Sequence, residues 1–175
     1  MTEAAKPLSR SEREALIKDK AGLVIVIMAL FMAVTTYFAN MHSGAVLKNT
    51  LKATDTYAFY QSKSIKQAIA EGQMEDAKDP KRIRALQAKV ERYESDPEKG
   101  EGKKELLAKA QGFEKARDEA ARHGPWLTFA SMAFQLAIVL LSASILAVNN
   151  KMYKISEVVA VIGIVLLSQG IWLWF

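Results

Sequence analysis

No charged side chain occurs between Gly124 and Asn150, in the run GPWLTFASMAFQLAIVLLSASILAVNN. A hydrocarbon layer about 30 Å thick is crossed by roughly 20 apolar residues rising ~1.5 Å each, and this run has them. It is too long and too apolar for the core of a small soluble domain. Its start is marked twice: Gly124 is expected to break the helix that precedes it, and Pro125 suits a first helical turn, where its missing N–H is not needed. Trp126 then falls where an amphipathic ring lies at headgroup level. The expectation is a transmembrane helix over residues 125–148.

Two more uncharged runs have the same character. AGLVIVIMALFMAVTTYFA, from Ala21 to Ala39, gives a first transmembrane helix over 21–41. Its apolar length exceeds the ~7–15 residues of a signal peptide, and no small-x-small cleavage site follows it. VVAVIGIVLLSQGIWLWF, from Val158 to Phe175, gives a third over 157–175, with Trp172, Trp174 and Phe175 as interfacial anchors. A polar tail, 1–20, precedes the first span, with Ser11 and Glu14 at capping-box spacing. A short basic loop, 149–156, carries Lys151 and Lys154 between the second and third. The mean hydropathy near zero averages these runs with a highly charged remainder.

That remainder, 44–123, is rich in Lys, Glu, Ala and Gln, a helix-forming mixture. Leu47, Leu51, Thr54, Ala58, Gln61, Ile65 and Ala68 alternate at spacings of four and three, the seam of a helix that packs against one partner helix. A second stripe, Ile83, Leu86, Val90 and Tyr93, follows the start signal Asp79-Pro80. After interruptions at Asp96-Pro97 and Gly100 to Gly102, a third runs through Leu106, Ala110, Phe113, Ala116 and Ala120. Because the chain leaves the bilayer near Asn40 and returns at Pro125, the segment is expected to be a long extramembrane helical hairpin turning at Gln73 to Asp79. The fold class is therefore an all-α membrane protein with three transmembrane helices and that hairpin between spans one and two. Lys6, Arg10, Arg13, Lys18 and Lys20 share a side with Lys151 and Lys154, which places the N-terminus in the cytoplasm and the hairpin in the periplasm of a bacterial inner membrane.

Polar and small residues inside the spans form stripes. Thr128, Ser131, Gln135, Ser142 and Asn149 line one face of span two, a seam for helix association within or between protomers, or for a water-lined path. Gly22, Val26, Ala29, Ala33, Thr36 and Asn40 form a small-residue stripe on span one. Ser156, Ala160, Gly163, Leu167 and Gly170 form another on span three, with Gln169 off it and directed at another subunit. His42 and His123 are expected at one membrane surface, without the spacing of a metal site. There is no cysteine, which excludes thiolate chemistry and disulfides. The net charge of +5 is dispersed, so nucleic acid is not an expected partner. No phosphate loop or nucleophile elbow occurs and the carboxylates follow the spacing of solvated faces, so neither an enzyme nor a cofactor site is expected.

The run Lys52-Ala53-Thr54-Asp55-x-Tyr57-Ala58-x-Tyr60-Gln61-x-Lys63-Ser64-Ile65-Lys66 is the most distinctive of the polar segment. With the spans around it, it resembles the bacterial membrane-protein family catalogued as domain of unknown function 4337, where an aromatic, often Trp, stands at the position of Tyr57. The resemblance implies this topology and no activity. The aromatics Tyr57, Phe59 and Tyr60 are either knobs joining the hairpin arms or protomers, or part of an exposed docking patch with Asp55, Gln61, Lys63 and Lys66. The functional expectation is a non-enzymatic, homo-oligomeric scaffold or accessory subunit of a membrane complex, contacting lipid and a membrane-protein partner. The alternative is a small oligomeric channel or transporter lined by the seam of span two.

Overall fold

The computed structural model describes residues 10–174; Glu3 and Lys6 of the tail and the anchor Phe175 lie outside them. The described residues form four helices and no strand: α1 (Arg10–Glu75), α2 (Pro80–Glu94), α3 (Lys103–Ala147) and α4 (Asn150–Trp172). Three of them, α1, α3 and α4, are long and apolar enough to cross a membrane. The chain divides into two compact units, one of Met1–Ser43 with Arg122–Phe175, the other of Gly44–Ala121.

In the first unit the α3 face that packs is Leu127, Ala130, Phe134, Ala137, Leu141 and Ser144, all buried. Against it α1 turns Ala21, Met28 and Thr35, flanked by Val24, Ile25, Phe31 and Met32. The small-residue stripe expected to pack on span one faces outward instead: Gly22, Val26, Ala29, Ala33, Thr36 and Asn40 are all exposed. Two stripes of helical spacing coexist on α1, and the larger, better-filling side chains of Met28 and Phe31 take the interior. Thr35 is fully buried, and its hydroxyl donates to the Phe31 carbonyl at 2.7 Å, so it needs no partner from another helix.

On α4 the expected stripe is the packed one. Ser156, Ala160, Gly163, Leu167 and Gly170 are buried. A Cβ on Gly163 would stand 2.8 Å from Phe134 Cε1, and one on Gly170 2.8 Å from Leu127 Cδ2, so only glycine admits α3 this closely. The ring of Phe134 is held on its other side by Phe31, stacked at 5.8 Å. Gln169 does not reach toward another subunit: it is 2% exposed. Its Oε1 accepts from the Trp174 N–H at 3.0 Å, while its own carbonyl accepts from the N–H of Leu173, the left-handed C-cap. A helix end supplies the amide with the partner it requires.

Two boundaries differ from expectation. Helix α3 continues through Gly124, with Pro125 inside it. A proline in a helix costs ~3 kcal/mol, which the long helical stretches on both sides outweigh. The basic loop of eight residues shrinks to Val148 and Asn149. Val148 takes a positive φ of 48°, and the Asn149 side chain accepts from the Lys151 N–H, capping α4.

In the second unit, α2 begins where Asp79 accepts from the Lys81 N–H at 3.0 Å, with Pro80 in its first turn. Leu86 is buried, with Ile83, Val90 and Tyr93 half-buried beside it on the inward stripe. Lys52 lies over the Phe113 ring, Tyr57 meets Glu114 and Lys63 meets Glu101, so the α1 and α3 portions run antiparallel here. Between α2 and α3, Glu105 closes a tight connection. It accepts from Ser95 Oγ at 2.6 Å and from the Asp96 N–H at 3.1 Å. These two bonds, the serine's first, hold its carboxyl below the ordinary range. Gly100 has φ +64°, and any Cβ on Gly102 would collide with the backbone of Ser95 and Asp96, so both glycines are required by the chain path.

Candidate functional site

The polar stripe of α3 lies on the face turned away from the packed interior. Thr128, Gln135 and Ser142 are exposed and Ser131 half-buried, roughly a third of a turn from Phe134 and its buried neighbours. Each hydroxyl is satisfied inside its own helix: Thr128 donates to the Gly124 carbonyl at 3.0 Å and Ser142 to that of Ile138 at 2.9 Å. Gln135 Nε2 donates to Ser131 Oγ at 3.2 Å. Asn149 leaves this set, since it lies beyond the end of α3 and caps α4. Gly163 and Gly170 leave it too, because they are closed against Phe134 and Leu127 of the same chain. What remains is a short outward stripe of four polar residues on an otherwise apolar helix face, beside Met132, Leu136 and Val139, all more than half exposed.

Five residues of the distinctive run separate in the same way. Tyr57, Tyr60 and Lys63 turn inward. Tyr57 Oη donates to Glu114 Oε2 at 3.1 Å; partial burial, then that bond, raises its pKa. The Lys103 ammonium lies 5.9 Å from the Tyr60 ring centre and 3.1 Å from Glu94. This contact lowers the Glu94 pKa. Lys63 sits 5.1 Å from the centre of the Phe59 ring and 5.8 Å from that of Tyr93, 3.3 Å from Glu101. These three act as joints between helices. Asp55 and Gln61 stay exposed.

Beside Lys63 is an open recess of about 280 Å³ lined by Lys63, Lys89, Arg92, Tyr93, Asp96, Lys99 and Glu101. Both carboxylates are already engaged, Asp96 with Arg92 and Glu101 with Lys63, which leaves the recess with surplus positive charge that draws anions.

His42 and His123 meet face to face, ring centres 3.9 Å apart. His123 Nδ1 lies 2.7 Å from the Gly170 carbonyl oxygen; a carbonyl only accepts, so this nitrogen carries the proton. Partial burial and then the charge of His123 lower the His42 pKa, so the stack favours at least one neutral ring. No group of three or more metal-ligating side chains occurs among the described residues. The stacked pair was legible only as two histidines near one surface; their contact follows from the pairing of α1 with α3, which spacing does not reveal.

The arrangement is that of an all-helical protein with three long apolar helices and glycines where α3 and α4 cross. The chain belongs to the family described as domain of unknown function (DUF4337), whose family model matches residues 17–173. Comparisons with curated proteins and with solved structures return no match.

Proposed function

We propose that this chain is a multi-pass membrane protein of the bacterial inner membrane, acting without catalysis as an oligomeric scaffold or accessory subunit of a membrane complex. One observation carries the reading: the first unit keeps large apolar side chains outward on all three of its helices. Leu23, Leu30, Val139, Leu146, Val158 and Val161 are each more than half exposed. In water a surface of this kind drives aggregation, whereas lipid and neighbouring subunits cover it at no such cost. In this reading α1, α3 and α4 cross the bilayer. The charged segment 44–123 forms a helical hairpin outside it, on the periplasmic side, and the N-terminus is cytoplasmic. The outward Ser131–Gln135 pair supports subunit contact, because an amide in hydrocarbon gains ~0.6–2 kcal/mol from a partner helix.

The test is extraction and mass. The protein stays in the membrane pellet through alkaline carbonate and runs as an oligomer by light scattering in mild detergent once detergent mass is subtracted. Release by carbonate, or a stable monomer, refutes the reading. Replacing Gln135 by Leu weakens assembly without altering ion flux in liposomes. A change of flux instead selects the channel in which several copies line a path with this stripe.

A further inference from the structure

The face of α1 that the second unit leaves uncovered is a heptad seam. Leu47, Leu51 and Ile65 are 61%, 56% and 62% exposed, and Thr54, Ala58 and Gln61 between them are exposed as well. The inward face of the same segment, with Ala53, Thr56 and Ala70 buried, already has its partners in α2 and α3. The 4–3 alternation therefore serves no contact inside the chain.

We propose that a second copy of this chain covers the seam, the two α1 helices lying parallel and in register as a left-handed coiled coil; this rests on the oligomeric membrane reading above. Four arguments select that occupant. A heptad stripe drifts ~20° per heptad around a straight helix, so it stays in contact only with a helix that supercoils around it, as one carrying the same repeat does. Two copies inserted in one bilayer with one orientation have parallel α1 helices. Parallel in-register pairing sets Gln61 on Gln61 and Thr54 on Thr54, and each amide or hydroxyl both donates and accepts, so the polar layers satisfy themselves. Antiparallel pairing sets Gln61 against Ala58 and Thr54 against Ile65. The flanking positions that meet across a parallel pair are Thr50 with Asp55, Tyr57 with Ser62 and Ser64 with Ile69, so no like charges oppose.

The chain has no cysteine, so a single introduced thiol reports only its own position. In proteoliposomes of the full chain, Leu51→Cys and Ile65→Cys each give disulfide-linked dimers under mild oxidation in most of the protein. Lys89→Cys, exposed on α2, gives little. Ile65→Asp weakens association, measured by energy transfer between labelled copies, by roughly tenfold or more, the value of one buried isoleucine. An oligomer by light scattering with no cross-link at Leu51→Cys or Ile65→Cys overturns the seam and leaves the oligomeric reading standing. A cross-link at Ala58→Cys alone means antiparallel pairing and also overturns it. A monomer overturns both.

Discussion

Gly163→Ala adds one methyl group where the structure has least room for it. The new Cβ would stand 2.8, 3.0 and 3.2 Å from Cε1, Cδ1 and Cζ of Phe134. That ring is fully buried and backed by Phe31 in a near-parallel stack, so it cannot withdraw without pushing α1. Overpacking of this kind costs ~1–3 kcal/mol. Alanine in place of glycine in a helix meanwhile returns up to ~1 kcal/mol. The clean comparison is with Gly22→Ala, on α1 of the same unit, where nothing lies within 4 Å of the added atom. The two variants should differ by ~1–3 kcal/mol, a factor of roughly 5–160 in the unfolding equilibrium. Titration of mixed micelles with dodecyl sulfate, followed by tryptophan fluorescence and helicity, reads the difference directly. Phe134→Leu combined with Gly163→Ala should recover part of the loss, with a coupling of at least ~0.5 kcal/mol. Equal stabilities for Gly163→Ala and Gly22→Ala, or strict additivity in the double variant, would refute the wedged ring.

In the second unit, Gly102→Ala should disrupt the α2–α3 connection, seen as faster amide exchange over residues 95–105, while Gly112→Ala, with open space at its Cβ, should leave exchange unchanged or slower. The Glu105 carboxyl has a lowered pKa, so its contribution is complete above the ordinary carboxylate value of about 4.3 and is lost as pH falls below it. Exchange of the Asp96 amide should accordingly rise in acid, and Glu105→Gln should remove that pH dependence; a wild-type amide equally protected at pH 5 and well below pH 4 would contradict it. For topology, Lys78→Cys should react with an impermeant maleimide in intact spheroplasts and Lys151→Cys should not, and the opposite pattern reverses the orientation.

Three apolar helices were readable because absence of charge over about 20 residues has few other causes, and the packed stripe of α4 was readable because Gly163 and Gly170 have no other use at that spacing. On α1 the same logic failed. Gly22, Ala29 and Ala33 repeat with the helical period, but so do Ala21, Met28 and Thr35 about a third of a turn away, and periodicity alone does not say which face has the neighbour. The heptad of Leu47 to Ala68 was recognised as a seam, yet the segment buries its other side, where Tyr57, Tyr60 and Lys63 make contacts whose geometry spacing does not encode. Gly124-Pro125 misled because local stop signals are weak beside two long helical flanks. Asn149 misled because an asparagine at the end of an apolar stripe reads equally as its last member or as the cap of the next helix. Nothing in the composition pointed to Glu105, since its role depends on the path of the chain through Gly100 and Gly102.

The link of two residues between α3 and α4 also sets an order in time. Leu127 and Gly170 belong to neighbouring helices and can meet as soon as both are made, whereas Phe31 must wait for Phe134, roughly a hundred residues later, a contact of high order that forms late. At a synthesis rate of ~5–20 residues per second, α1 stands without its interior partners for on the order of 5–20 s. Its inward face tolerates that interval because Thr35, the one fully buried polar side chain among the described residues of α1, is bonded to the Phe31 carbonyl of the same helix. The first helix to emerge needs no later segment to satisfy the polar group it will bury.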